Sequence, residues 1–261
     1  MLLALTISFL GLVFWLLFGW LANALVWWIP PQVEQALGRV VLPAYERQAQ
    51  ASPAQDTLNQ LLDRLESHLP AQTRQGRDYQ VLYIPDATVN ALALPGDRVI
   101  LYKGLLNEVE SENALMMVLG HELGHFAHRD HLRGMGQGLI MQIVLTTLLG
   151  DASGLQSLVL TGAASLSQAQ FSQRQEREAD EVGLDLLQAT YGQVAGATDF
   201  FARLSRKQGL EPLAILATHP PSQERIARIE QRIKERRYSL GTKSPLPAAL
   251  RTLDLPSGSS D

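Results

Sequence analysis

The hydrophobic and polar positions divide the chain into zones. No charged side chain appears before Glu34, and the opening stretch MLLALTISFLGLVFWLLFGWLANALVWWIPP is apolar almost throughout. It exceeds the roughly 20 apolar residues that a helix needs to cross a bilayer core. All four tryptophans lie in it, and Trp27 and Trp28 fall where a membrane interface would be. A cleaved leader would show a basic start, a shorter apolar core and a small-residue cleavage site, and none is evident. The pattern predicts a retained single-pass anchor over 1–29. Residues 30–54, rich in Pro, Gln and Ala, read as a juxtamembrane linker or helix.

Helical periodicity then sets in. DTLNQLLDRLESHL places Leu58, Leu61, Leu62, Leu65 and Leu69 on one face, which predicts a half-buried helix with His68 on its surface. YQVLYIP (79–85) and RVILY (98–102) read as short strands, with LPGD (94–97) as the turn before the second. NALALPGDRVILYKGLL therefore looks like a strand pair leading into a helix, predicted over about 107–129. Residues 134–173 carry one charged residue, Asp151. They read as two core helices around the Gly150–Gly154 turn, with a surface dipping into the membrane interface as the alternative. Further helices are predicted over 173–189, 198–208 and the charged SQERIARIEQRIKERR. The Pro-, Ser- and Gly-rich tail from Ser239 reads as disordered.

Composition narrows the chemistry. At 46% hydrophobic and 18% charged residues the chain is too apolar for disorder and too polar for a multi-span transporter. A net charge of −4 gives no footprint for nucleic acid. The absence of cysteine leaves His, Asp and Glu as metal ligands. Four of the six histidines stand in HELGHFAHRDH, residues 121–131. Within it, His121-Glu122-Leu123-Gly124-His125 is an HExxH. Residues four apart are about 40° apart around a helix, so both imidazoles can reach one ion while Glu122 accepts a proton from an attacking water.

A catalytic zinc takes three protein ligands. His131 stands where a metzincin places its third, but that pattern needs glycine at the position of His128. His128 and His131 are therefore read as polar residues at a helix end, suited to its negative dipole. A carboxylate from another helix is the gluzincin solution, and FSQRQEREAD (171–180) offers Glu176 and Asp180 on one helical face. One could bind metal and the other hold a ligand histidine's outer N–H, with Gly183 letting the two helices approach. Spacing alone leaves Glu176 open between a ligand and a member of a solvated charge run.

HExxH followed by Glu176-Arg-Glu-Ala-Asp180, with NALALPGDRVILYKGLL and THPPSQERI, resembles the membrane-associated HExxH zinc metallopeptidases that include the CAAX prenyl protease, HtpX and BepA. The resemblance covers roughly 55–237. It implies an α+β, mostly helical gluzincin-type domain with a small β-sheet beside the HExxH helix, joined here to the N-terminal transmembrane helix. It implies one Zn2+ per chain on His121, His125 and Glu176, Glu122 as general base and Asp180 supporting a ligand. His219, in the His-Pro before the last helix, is implied at the active site, either aiding the oxyanion or capping the metal, and Arg225 is implied to organise that loop. The expected partners are protein or peptide substrates, unfolded or membrane-adjacent, and a lipid bilayer. An edge strand such as Arg98–Tyr102 is expected to align an extended peptide. The expected location is the cell membrane; the positive-inside rule votes feebly for a cytoplasmic domain, the resemblance for a periplasmic one. A zinc-bearing chaperone or scaffold with a latent protease is the competing reading.

Overall fold

A computed structural model of the chain describes residues 2–74, 76–136, 139–140, 142–143, 170–207, 213–220 and 223–251. Helix α1 spans Leu2–Leu25 and runs into a 3-10 turn, Val26–Trp28. Then come α2 (Pro31–Val41), α3 (Pro53–Glu66), strands β1 (Gln80–Ile84), β2 (Ala91–Leu94) and β3 (Arg98–Tyr102), and α4 (Glu112–Ala127). After these follow α5 (Gln173–Tyr191), α6 (Asp199–Lys207) and α7 (Gln223–Glu235). Mostly helical with one small sheet, this is the expected fold class.

The helix ends follow from local chemistry. Ser52, Ser111 and Ser172 each accept a backbone N–H in the first turn of α3, α4 and α5, and Ser172 forms a reciprocal capping box with Gln175. The Ser111 cap starts α4 at Glu112 rather than near 107, and Lys103–Leu106 forms a separate helical turn.

The sheet has the order β1-β3-β2, with β3 parallel to β1 and antiparallel to β2. Arg98–Tyr102 is thus the middle strand, paired on both sides, and not the free edge expected to receive a peptide. The β1 edge is closed by side-chain amides of α3: Val81 N–H donates to Asn59 (2.8 Å) and Tyr83 N–H to Gln55 (2.8 Å). β2, the other edge, is buried along its length. Strand alternation sends Val81, Tyr83, Val99 and Leu101 into a core with α3 and α4. Ile84, Leu92, Leu94 and Ile100 face the opposite way, into a core with Val26, Ile29, Leu37, Val41 and Leu42.

The N-terminal segment is therefore part of the fold. Side chains at Leu37, Val41 and Leu42 are buried against the sheet, each worth about 1.5–3 kcal/mol of apolar burial. Several side chains of α1 lie outside those described. Among the described residues no helix is long and apolar enough to cross a membrane, so the expected transmembrane span is not recovered. Of the expected core helices in 134–173, Leu139, Ile140 and Ile143 are buried in the second core, and 144–169 lie outside the described residues.

The tail differs from expectation as far as Arg251. Val194 N–H donates to the Ser239 carbonyl, and Ser244 N–H to the Asn113 side chain at 2.7 Å. Leu246 and Leu250 are buried in the main core, so a composition read as disordered is held by specific contacts.

Candidate metal centre

The site lies where α4 and α5 pack backbone to backbone. A Cβ added to Gly124 would sit 2.6 Å from Ala179 Cα, and one on Gly120 would sit 3.0 Å from Gly183 Cα. Small residues on both helices allow this approach, as Gly183 suggested; Gly120 and Gly124 on the facing helix went unread. The approach brings His121, Glu122 and His125 of α4 to Glu176 and Asp180 of α5, all buried. His219 arrives from the loop after Ile215–Thr218. That loop is fixed by Ile215 N–H donating to the Val89 carbonyl (3.0 Å) and Phe171 N–H to the Thr218 carbonyl (3.2 Å).

One potential ligand atom from each of His121, His125, Glu176 and His219 lies within 4.8 Å of the others. His121 Nε2 is 3.1 Å from His125 Nε2 and 3.2 Å from His219 Nδ1. Glu176 Oε1 is 2.9 Å from His219 Nδ1 and 3.6 Å from His125 Nε2. The outer nitrogens meet carboxylates: His121 Nδ1 to Asp180 at 2.9 Å, His125 Nδ1 to Asp130 at 3.0 Å. Ionised carboxylates only accept, so each Nδ1 donates and each Nε2 faces inward, with a lone pair whenever its ring is neutral. Two lone pairs 3.1 Å apart repel unless a proton or a cation lies between them. Two buried groups beside them, Glu122 Oε2 and His219 Nε2, have no hydrogen-bond partner among the described residues. This N,N,O donor set with outer carboxylates fits zinc.

Charge is balanced by Arg225 of α7, whose guanidinium lies 2.5 Å from Glu176 and 2.7 Å from Asp180. Burial pushes the Glu176 carboxyl up, but His219, Arg225 and His121 together hold it well below the usual range. At His121, burial and then the Arg225 charge disfavour protonation. At His125, burial does the same, but Asp130 and Glu176 outweigh it and push the imidazole up to about 10. A metal must displace that proton. Glu122 stands beside the cluster, 2% exposed, with Oε1 3.9 Å from His219 Nε2. A small cavity next to it is walled by Val118, Phe201, Leu204 and Ile215.

The structure thus gathers His121, Glu122, His125, Glu176, Asp180, His219 and Arg225. His128 caps the end of α4, as expected. His131 does not act as a helix-end residue: it is fully buried, and its Nε2 lies 2.6 Å from Glu34. Two neighbours of His125 escaped the sequence reading. Asp130 stood inside the histidine stretch as a nearby carboxylate, and Phe171 stacks on the His125 ring at 4.1 Å.

The sequence profile of peptidase family M48 matches residues 53–233. The mitochondrial metalloendopeptidase OMA1 of Arabidopsis thaliana is 30% identical over 168 residues, covering 63% of this chain and 34% of that protein. Metalloprotease LoiP of Escherichia coli K12 is 31% identical over 160 residues, 60% of this chain and 62% of the relative. The beta-barrel assembly-enhancing protease of Yersinia pestis is 26% identical over 207 residues, 73% and 43% respectively. The chain thus spans between a third and two thirds of the relatives it matches.

Proposed function

The chain belongs to peptidase family M48, and on that premise we propose that it is a membrane-attached zinc metalloendopeptidase. The observation that carries the reading is the convergence of His121, His125 and Glu176 on one point with the Glu122 carboxylate beside it. His121 and His125 would bind through Nε2 and Glu176 through its carboxylate. Zinc, when bound, supplies Lewis acidity, polarising the scissile carbonyl and lowering the pKa of water towards about 7. Glu122 takes the proton of the attacking water and passes it to the leaving amine. Asp180 and Asp130 hold the two imidazoles in the tautomer that leaves Nε2 free. Arg225 keeps Glu176 and Asp180 ionised. Glu122→Gln should abolish casein cleavage while one zinc stays bound; cleavage persisting in that variant would sink the mechanism.

A second reading has an observation of its own. His219 Nδ1 lies among the three ligand atoms, so four protein donors are present where a catalytic zinc keeps one position open. In that state the protease is latent, and the protein acts as a zinc-bearing chaperone or scaffold until His219 withdraws. His219→Ala separates the two: faster cleavage indicates latency, and lost cleavage indicates that His219 serves the reaction.

Membrane attachment is supported by the exposed face of the N-terminal segment, where Phe9, Leu10, Leu17, Trp20 and Trp28 are each at least 60% exposed. Large apolar side chains gathered on an exposed surface mark a place that meets a membrane or a partner. Flotation with liposomes, compared with a chain lacking residues 1–25, tests it; equal recovery of the two would remove the attachment. The substrates suited to such a protease are unfolded or membrane-adjacent proteins, in envelope quality control, with the domain on the periplasmic side. Protease accessibility in spheroplasts reads the side.

A further inference from the structure

Directly after the HExxH helix, three consecutive residues reach in three directions. The chain leaves α4 through His128 and turns at Arg129, whose φ of +57° is left-handed. Glycine commonly fills that place at a helix end, because a Cβ is strained there. Here it is a buried arginine whose Nη1 donates to the carbonyls of Val26 (2.8 Å) and Ile29 (2.6 Å). Those carbonyls lie just beyond the apolar N-terminal helix, and the Trp27 ring is 5.9 Å from the same guanidinium. Asp130 accepts from His125 Nδ1 at 3.0 Å, while its other oxygen is held by Arg133 (2.9 Å) and Gln175 (2.8 Å). His131 completes the turn against Glu34 of α2, at 2.6 Å.

We infer that Arg129, Asp130 and His131 form a clasp through which the N-terminal segment holds His125 in its metal-binding orientation. The inference rests on the metal reading above. An imidazole is fixed in tautomer and ring plane by the group on its outer nitrogen, and here that group is Asp130. Asp130 keeps its place only while the left-handed turn before it persists, and a strained turn persists when its surroundings hold it. Arg129, gripping Val26 and Ile29, and His131, gripping Glu34, hold the turn from both sides. Asp130 is a positioning residue; Arg129 acts on it at one remove.

The test uses the full chain in detergent and follows zinc loss to a chromogenic chelator, with thermal unfolding of the metal-free protein alongside. Asp130→Asn keeps the size and removes the charge; zinc retention should fall about tenfold or more. Arg129→Gly suits the left-handed backbone and deletes the grip on Val26 and Ile29. It should unfold near the parent's temperature without metal, yet also lose about tenfold in zinc retention. Should that variant not fold, Arg129→Lys, with a single ammonium in place of the guanidinium, provides the same comparison. Zinc retention by Asp130→Asn within twofold of the parent would overturn the clasp. So would a loss confined to Asp130→Asn with both Arg129 variants unchanged, since the N-terminal segment would then play no part. A parent that binds no zinc removes the metal reading and the clasp with it.

Discussion

Arg225 shows how much one residue carries. Its guanidinium bridges Glu176 and Asp180 and lies 4.2 Å over the Phe201 ring. Burial pushes the Asp180 carboxyl up, and Arg225, then His121, hold it below its ordinary value. Arg225→Met keeps an unbranched apolar stem but strands two buried carboxylates. It should cost the metal-free protein about 3–5 kcal/mol, read from urea titrations with chelator present. The pH dependence has a definite sign. Asp180's contribution is present above its unfolded value near 3.8 and is lost as pH falls from there through its depressed folded value; removing Arg225 raises that folded value, so the stability lost over this acid window should shrink. At this scale the sequence exposes what is local: His121, Glu122 and His125 are legible because one helical turn brings them together. Asp130 lay in the same eleven residues but was not legible, because its contact depends on a left-handed arginine that intrinsic preference argues against. His131 had no local signal either, its partner Glu34 being 97 residues away.

Among the elements, the pairing of α4 with α5 decides whether a site exists. The two helices meet through Gly120, Gly124, Ala179 and Gly183, and the contact at Gly124 is backbone against backbone, which no change of rotamer relieves. Gly124→Ala should force the helices apart, cost about 1–3 kcal/mol and carry Glu176 away from His121 and His125. Calorimetry and zinc content would read both effects; unchanged zinc content would show that Glu176 is not held by this contact. The helices were legible from periodicity and caps, and the strands from alternation. Strand order was not: nothing in RVILY marks it as the middle of the sheet, since that depends on β1 arriving parallel from outside the hairpin. The structured 239–251 segment was missed for a like reason. Its Leu246 and Leu250 gain their burial from distant helices, which composition does not report.

At the scale of the molecule, the N-terminal segment carries the exposed apolar side chains proposed to meet a membrane and forms one wall of the domain. Glu34 is fully buried, with Arg77 at 2.6 Å and His131 at 2.6 Å, and Arg77 continues to Asp97 at 2.5 Å. Burial pushes the Glu34 carboxyl up, but His131 and Arg77 hold it far below the usual range. Its contribution is present above its unfolded value near 4.5 and is lost as pH falls towards the depressed folded value. Acid should therefore loosen α2 from the sheet. Two truncations separate the segment's roles. A chain lacking residues 1–25 keeps Val26, Ile29, Glu34, Leu37 and Val41, so it should lose liposome binding yet fold and retain zinc. A chain lacking residues 1–42 strips Val26, Ile29, Leu37, Val41 and Leu42 from the core that covers Ile84, Leu92, Leu94 and Ile100, and leaves Arg77 and His131 without Glu34. Uncovering that face and breaking a buried ion pair, the latter alone worth about 3–5 kcal/mol, exceeds what a domain of ordinary stability survives. The shorter chain should aggregate or unfold, as size-exclusion chromatography and far-UV circular dichroism would record. A monomeric, helical and zinc-loaded product from it would mean that the segment is a tether and not a wall.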